Sequence, residues 1–106
     1  MRSKEAVFLF SAMGHEYRLA IFKMLVQAGS KGLNPSEINS ELNIQDNKLS
    51  FHLNHLKKIN LISFKRSGRN LIYFANYDKI KHLIDYLFER CCEKSDSDAC
   101  VPKLKI

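Results

Sequence analysis

The stretch from Asp46 to Ile59, DNKLSFHLNHLKKI, decides how this chain is read. Leu49, Leu53 and Leu56 fall at i, i+4 and i+7, the spacing of one buried helical stripe. A helix built on that stripe turns Asn47, Lys48, Ser50, Phe51, His52, Asn54, His55, Lys57 and Lys58 outward. Asp46 stands where an N-cap is wanted, with oxygens that accept from the first free amides. Asn, Ser, His and Lys near a helix N-terminus are the side chains that reach base edges when a helix lies in a major groove. An ordinary solvated surface helix has the same pattern, so the flanks must decide.

Upstream, Asn34-Pro35-Ser36-Glu37 is a helix start, with Asn as N-cap, Pro at the first helical position and Glu placed to close a capping box. The helix it opens runs to about Leu42 with Ile38 and Leu42 inward, and Asn43-Ile44-Gln45 is a tight turn holding Ile44 as an apolar plug. Two short helices so joined form a helix-turn-helix over about 34–59, whose second helix is the reader. Downstream the period changes. Ile62 to Arg66 and Asn70 to Phe74 are β-prone runs around Ser67-Gly68-Arg69, which predicts a hairpin, or wing, over about 62–75. Its tip is basic, and Lys65, Arg66 and Arg69 suit contact with phosphate or an adjacent minor groove.

Charge points the same way. The chain of 106 residues carries a net charge of +6, and between Gln45 and Asn70 six Lys or Arg face the single acid Asp46. A basic block centred on a candidate reading helix is the electrostatic footprint expected for nucleic acid. Gln45, Asn47, Lys48, Ser50, Phe51, His52, Asn54, His55, Lys65, Arg66 and Arg69 are the candidate DNA contacts.

The remaining helices frame this centre. Lys4 to Met13 is apolar on more than one face, His15 to Ala28 follows in helical register, and a last helix from Asp78 to about Cys92 carries Ile80, Leu83, Ile84, Leu87, Phe88 and Cys91 as one stripe. That stripe suits either the subunit's own core or a symmetry mate; a short chain with an over-apolar first helix favours the mate. Val7, Phe8, Phe10, Ile80, Leu83, Ile84, Leu87 and Phe88 are therefore the expected dimer interface. The longest apolar run, Ala6 to Phe10, is too short to span a bilayer or to serve as a signal-peptide core, so a cytoplasmic protein without membrane contact is expected. No phosphate-binding glycine loop, carboxylate pair or Cys–His arrangement suggests an enzyme.

The order of helices, hairpin and helix, with the string LSFHLNHLKKINLISFKRSGRNLIYFA, resembles the ArsR/SmtB family of winged-helix repressors over nearly the whole chain. GHEYRLAIFKML at Gly14 to Leu25 is similar to that family's second helix, Leu49 to Leu53 with His55 and Leu56 to its recognition-helix signature, and Gly68-Arg69 with Tyr73 to its wing. Ile59-Asn60-Leu61 departs from it, since the family usually has a small residue and glycine before the leucine. The resemblance implies a mainly α winged helix-turn-helix over 1–92, homodimeric through its first and last helices; the polar run from Glu93 to Asp98 marks 93–106 as an expected flexible, cysteine-containing tail. It also implies double-stranded operator DNA as partner, no cofactor for DNA binding, and release by an inducer, usually a soft or transition-metal ion.

Where an inducer would bind must be argued from these residues. The family's cysteine cluster on the first helix of the helix-turn-helix is absent, because Asn34 to Leu42 contains no cysteine. Its dimer-helix site for zinc, nickel or cobalt opens with Asp-x-His; here Asp78 is present but residue 80 is Ile, and the later positions hold Cys91 and Cys92. Cys91, Cys92 and Cys100 remain, a donor set suited to a soft three-coordinate centre such as As(III) or Sb(III), and similar to an arsenic-sensing subset of the family. Adjacent helical residues diverge by about 100°, so Cys91 and Cys92 can share one ion only if the helix frays or turns there. A thiol-based redox switch, and a packing role for Cys91 on the apolar stripe, remain open beside it, as does a ligand-independent regulator.

Overall fold

The computed structural model describes residues 1–95; Cys100 and the rest of the expected tail from 96 onward lie outside the described residues. Five α-helices and one hairpin follow in the order α1 (Ser3–Met13), α2 (Glu16–Ala28), α3 (Pro35–Leu42), α4 (Asp46–Lys58), β1 (Ile62–Ser67), β2 (Asn70–Ala75) and α5 (Tyr77–Phe88), with a 3-10 turn at Gly29–Lys31 after α2. This is a winged helix-turn-helix. Its core gathers Leu9, Ile21, Leu25, Ile38, Leu56, Leu61 and Ile62, all almost fully buried, so every element from α1 to β1 contributes to one apolar centre.

Capping explains most of the helix boundaries. At α3 the predicted capping box is complete: the Glu37 amide donates to Asn34 Oδ1 at 2.8 Å and the Asn34 amide to Glu37 Oε1 at 3.0 Å. At α2, His15 is the N-cap, its Nδ1 accepting from the Tyr17 amide at 3.1 Å. The expectation for α4 was wrong by one residue: Gln45 is the N-cap and makes no side-chain cap bond, while Asp46 is the first helical residue. A carboxylate in the first turn still faces the positive end of the helix dipole.

Asn39 fastens the turn between α3 and α4. Its Nδ2 donates to the Ile44 carbonyl at 2.8 Å and its Oδ1 accepts from the Ile44 amide at 2.9 Å, replacing the backbone partners that Ile44 lacks in the turn. Asn43, at φ 53°, closes α3 in the left-handed conformation that Asn tolerates better than most residues. Asn60 does the same at φ 64° in the turn into the wing, so the family's glycine is replaced there without loss of the turn.

The wing pairs β1 and β2 antiparallel from Ile62↔Ala75 to Ser67↔Asn70, leaving Gly68-Arg69 as a two-residue loop with Gly68 at φ 63°. A two-stranded hairpin is marginal alone. Here an isolated bridge adds support, the Leu33 and Tyr73 backbones exchanging bonds of 3.0 and 2.8 Å. That close approach requires Gly32: at φ 66°, a Cβ there would stand 2.6 Å from Ile72 Cγ2 and from Phe74 Cε1.

α5 begins at Tyr77, one residue earlier than expected, with Asn76 as N-cap, and ends at Phe88, well before Cys92. The dimer-interface expectation for Leu83 is corrected, because Leu83 is 3% exposed within its own subunit. Ile80 packs against the same core and Ile84 is half-buried. Leu87 and Phe88 continue the stripe into solvent at 55% and 40% exposure. On α1, Ala6, Leu9 and Ala12 point inward while Val7, Phe8 and Phe10 are 60%, 57% and 47% exposed. Lys79 Nζ lies 3.8 Å from Glu5 Oε1, linking α5 to α1. No helix of the described residues is long and apolar enough to cross a membrane.

Candidate nucleic-acid interface

α4 divides cleanly into an inner and an outer side. Leu49, Leu53 and Leu56 are buried as predicted, and His52 is buried with them at 6% exposure. This corrects the assignment of His52 as a DNA contact. The reason is helical phase: His52 lies three residues after Leu49 and four before Leu56, which places it on the stripe, and that spacing was the signal that the sequence offered.

A polar anchor satisfies the buried imidazole. Arg18 Nη1 lies 3.2 Å from His52 Nδ1, while Arg18 Nε donates to the Ala12 carbonyl at 2.7 Å, so one guanidinium ties α4 to the end of α1. The His15 ring stands 4.5 Å from the His52 ring and the Tyr17 ring 5.7 Å away. Burial is the leading reason that the His52 pKa is lowered, with the charges of His15, Arg18, His55 and Lys48 acting in the same direction. Neutral His52 can then accept from Arg18. His55 is lowered as well, again by burial first, then by Arg18, Lys58 and His15. The sequence had given Arg18, His15 and Tyr17 no role, because contacts across 34 residues leave no local pattern.

The other candidates lie at the surface. Gln45, Asn47, Lys48, Ser50, Phe51 and Asn54 are exposed and His55 is half-buried, all on α4 or its cap. Lys65, Arg66 and Arg69 are exposed on the wing. Lys57 Nζ sits 4.5 Å above the Phe64 ring and Lys65 Nζ 5.3 Å from the Phe74 ring, so two of the wing's aromatics hold cations at its surface. α4 and the hairpin thus both present exposed basic and amide side chains, and Asp46 is the one carboxylate between Gln45 and Asn70.

Beyond α5 the chain turns sharply, with Arg90 at φ 58° and Cys92 at φ 61°. The helix ends before the adjacent cysteines, and Cys91 Sγ and Cys92 Sγ lie 3.3 Å apart, with Cys91 a free thiol and Cys92 disulfide-bonded. Cys91 is exposed and so is not part of the subunit's own core. Among the described residues no cluster of three or more His, Cys, Asp or Glu side chains is placed to hold a metal ion.

The comparisons agree with this architecture. A helix-turn-helix domain profile matches residues 13–63. The transcriptional activator HlyU of Vibrio cholerae is 30% identical over 91 residues, covering 86% of this chain and 82% of HlyU. Its solved structure in the reduced form superposes with a TM-score of 0.67, covering 85% of this chain and 92% of that one. An HTH-type transcriptional regulator of Methanocaldococcus jannaschii is 31% identical over 86 residues, covering 81% of this chain and 94% of the relative. A homodimeric winged helix-turn-helix DNA-binding domain from Mycobacterium bovis, a possible ArsR-family regulator, shares the fold at TM-score 0.65 and 18% identity over 89% of this chain and 87% of its own. The chain belongs to the ArsR/SmtB family of winged helix-turn-helix regulators. It is accordingly a DNA-binding transcriptional regulator rather than an enzyme.

Proposed function

We propose that this protein is a homodimeric repressor that grips operator DNA through α4 and the wing and lets go when Cys91, Cys92 and Cys100 thiolates bind As(III) or Sb(III). The observation that carries the reading is the placement of Cys91 and Cys92 on the turn directly after α5, their sulfurs 3.3 Å apart; Cys92 is disulfide-bonded in the structure, so the ion would be taken up by the reduced protein. Thiolates are the donors that soft ions select. α5 and α1 carry the exposed apolar faces on which two subunits would meet, so an ion bound at this turn would act at the edge of the dimer. Two copies of α4 would enter major grooves about 34–36 Å apart. Losing that spacing releases the DNA. Turning a 99:1 population over requires a differential affinity of about 5.5 kcal/mol, within the reach of a multi-thiolate site and beyond that of exposed ion pairs.

Arsenite titrated into the reduced full-length protein on a duplex selected by that protein should dissociate the complex. Cys91→Ser, Cys92→Ser and Cys100→Ser variants should stay bound. DNA binding indifferent to arsenite would refute the metalloid reading. The disulfide at Cys92, with a relative solved in a reduced form, favours a second reading in which hydrogen peroxide oxidises two of the three thiols to a disulfide and is itself reduced to water. In that case peroxide, and not arsenite, releases the DNA, and a dithiol restores binding.

A further inference from the structure

Phe51 is the most exposed large apolar side chain among the described residues, at 62%. Its setting differs from that of Val7 and Phe8, which sit together on α1. Asn47, Lys48, Asn54 and His55 surround Phe51 at i−4, i−3, i+3 and i+4, so a single phenyl ring stands in the middle of a polar, basic helix face. The ring is also held in place, its edge-on neighbours being the His52 and His55 rings at 5.5 and 6.3 Å. It forms one wall of a shallow depression with Asn54, His55, Lys58 and Ile59.

We propose that Phe51 is a base-reading residue that selects thymine through its C5-methyl group. The inference rests on the reading of α4 as the helix that enters the major groove. A phenyl ring has no donor or acceptor to offer a base edge. Guanine, adenine and unmodified cytosine present only donors and acceptors in the major groove, whereas thymine adds a methyl group. Covering a polar edge with Phe51 would strip it of water without replacing the lost hydrogen bond. Seating the thymine methyl against the ring buries apolar surface on both partners. Lys48 and Lys58, flanking the ring along the helix, supply the charge that draws the face toward the duplex without distinguishing its sequence.

The test uses the full-length protein and a site selected from a randomised duplex pool, in which each thymine is replaced in turn by 2′-deoxyuridine. That exchange removes the methyl and leaves the base pair's hydrogen bonds alone. One position per half-site should weaken wild-type binding about fourfold, the equivalent of one buried methylene. Phe51→Ala should bind the thymine and uracil duplexes alike, Phe51→Leu should keep part of the preference, and both should melt like wild type because the ring lies outside the core. A wild type indifferent to uracil at every position, or a Phe51→Ala protein that keeps the wild-type preference, overturns the inference. Lys48→Ala separates this from failure of the underlying reading: it should weaken binding to every sequence equally, and full binding by both Lys48→Ala and Phe51→Ala would remove α4 from the groove altogether.

Discussion

His52 shows how much one side chain on a reading helix can be given over to holding that helix. Its imidazole is buried between α4 and the start of α2, accepts from Arg18 when neutral, and touches the His15 and Tyr17 rings. The sign of its pH dependence follows. Burial, and then the surrounding positive charges, lower its pKa in the folded protein, so below about pH 6.5 the unfolded chain takes up a proton that the native state refuses. Stability is therefore complete above that pH and is lost as pH falls toward the lowered folded value. Thermal midpoints measured by circular dichroism should fall between about pH 7 and pH 5.5, and His52→Gln should flatten the profile, with a residue left by His55. An equal slope in His52→Gln would assign the dependence elsewhere. The leucine stripe was legible from spacing alone. Arg18 was invisible because its partners lie 6 and 34 residues away.

At the scale of elements, the sequence was most informative where structure is local. Asn34-Pro35-Ser36-Glu37 predicted a capping box, and both of its hydrogen bonds are present. Asn34→Ala should lower stability by about 1 kcal/mol, read from urea unfolding, with the α3 start fraying first in hydrogen exchange. A change under about 0.3 kcal/mol would mean that packing of Ile38 alone sets this boundary. The β-prone runs around Gly68 likewise predicted the hairpin, whereas its Leu33–Tyr73 bridge could not be read, since it joins residues 40 apart through a backbone contact that only Gly32 permits. The end of α5 was misjudged because Cys91 keeps the apolar period that the backbone abandons at Phe88. That early ending is what brings two neighbouring sulfurs to one side, where an unbroken helix would set them about 100° apart.

For the whole molecule, the exposed rings and aliphatics of α1 and α5 are the apolar surface on which the proposed dimer would close. Val7, Phe8 and Phe10 project from α1 beside a core that already holds Leu9 and Ala12, and Leu87 and Phe88 extend the α5 stripe past Leu83. Phe8→Glu should shift the protein from dimer to monomer in sedimentation equilibrium and weaken binding to a two-half-site duplex, while leaving helix content unchanged. A variant that stays dimeric would move the interface off this face. The division of α4 reaches further than binding. Leu49, His52, Leu53 and Leu56 anchor the helix, and Asn47, Lys48, Phe51 and Asn54 stand outside that anchorage. Substitutions on the outer four therefore carry little folding penalty. With the outer four reading the operator as proposed, a lineage carrying this helix can be readdressed to new promoters by a handful of codon changes, with selection on target choice and selection on foldability acting on separate sets of positions.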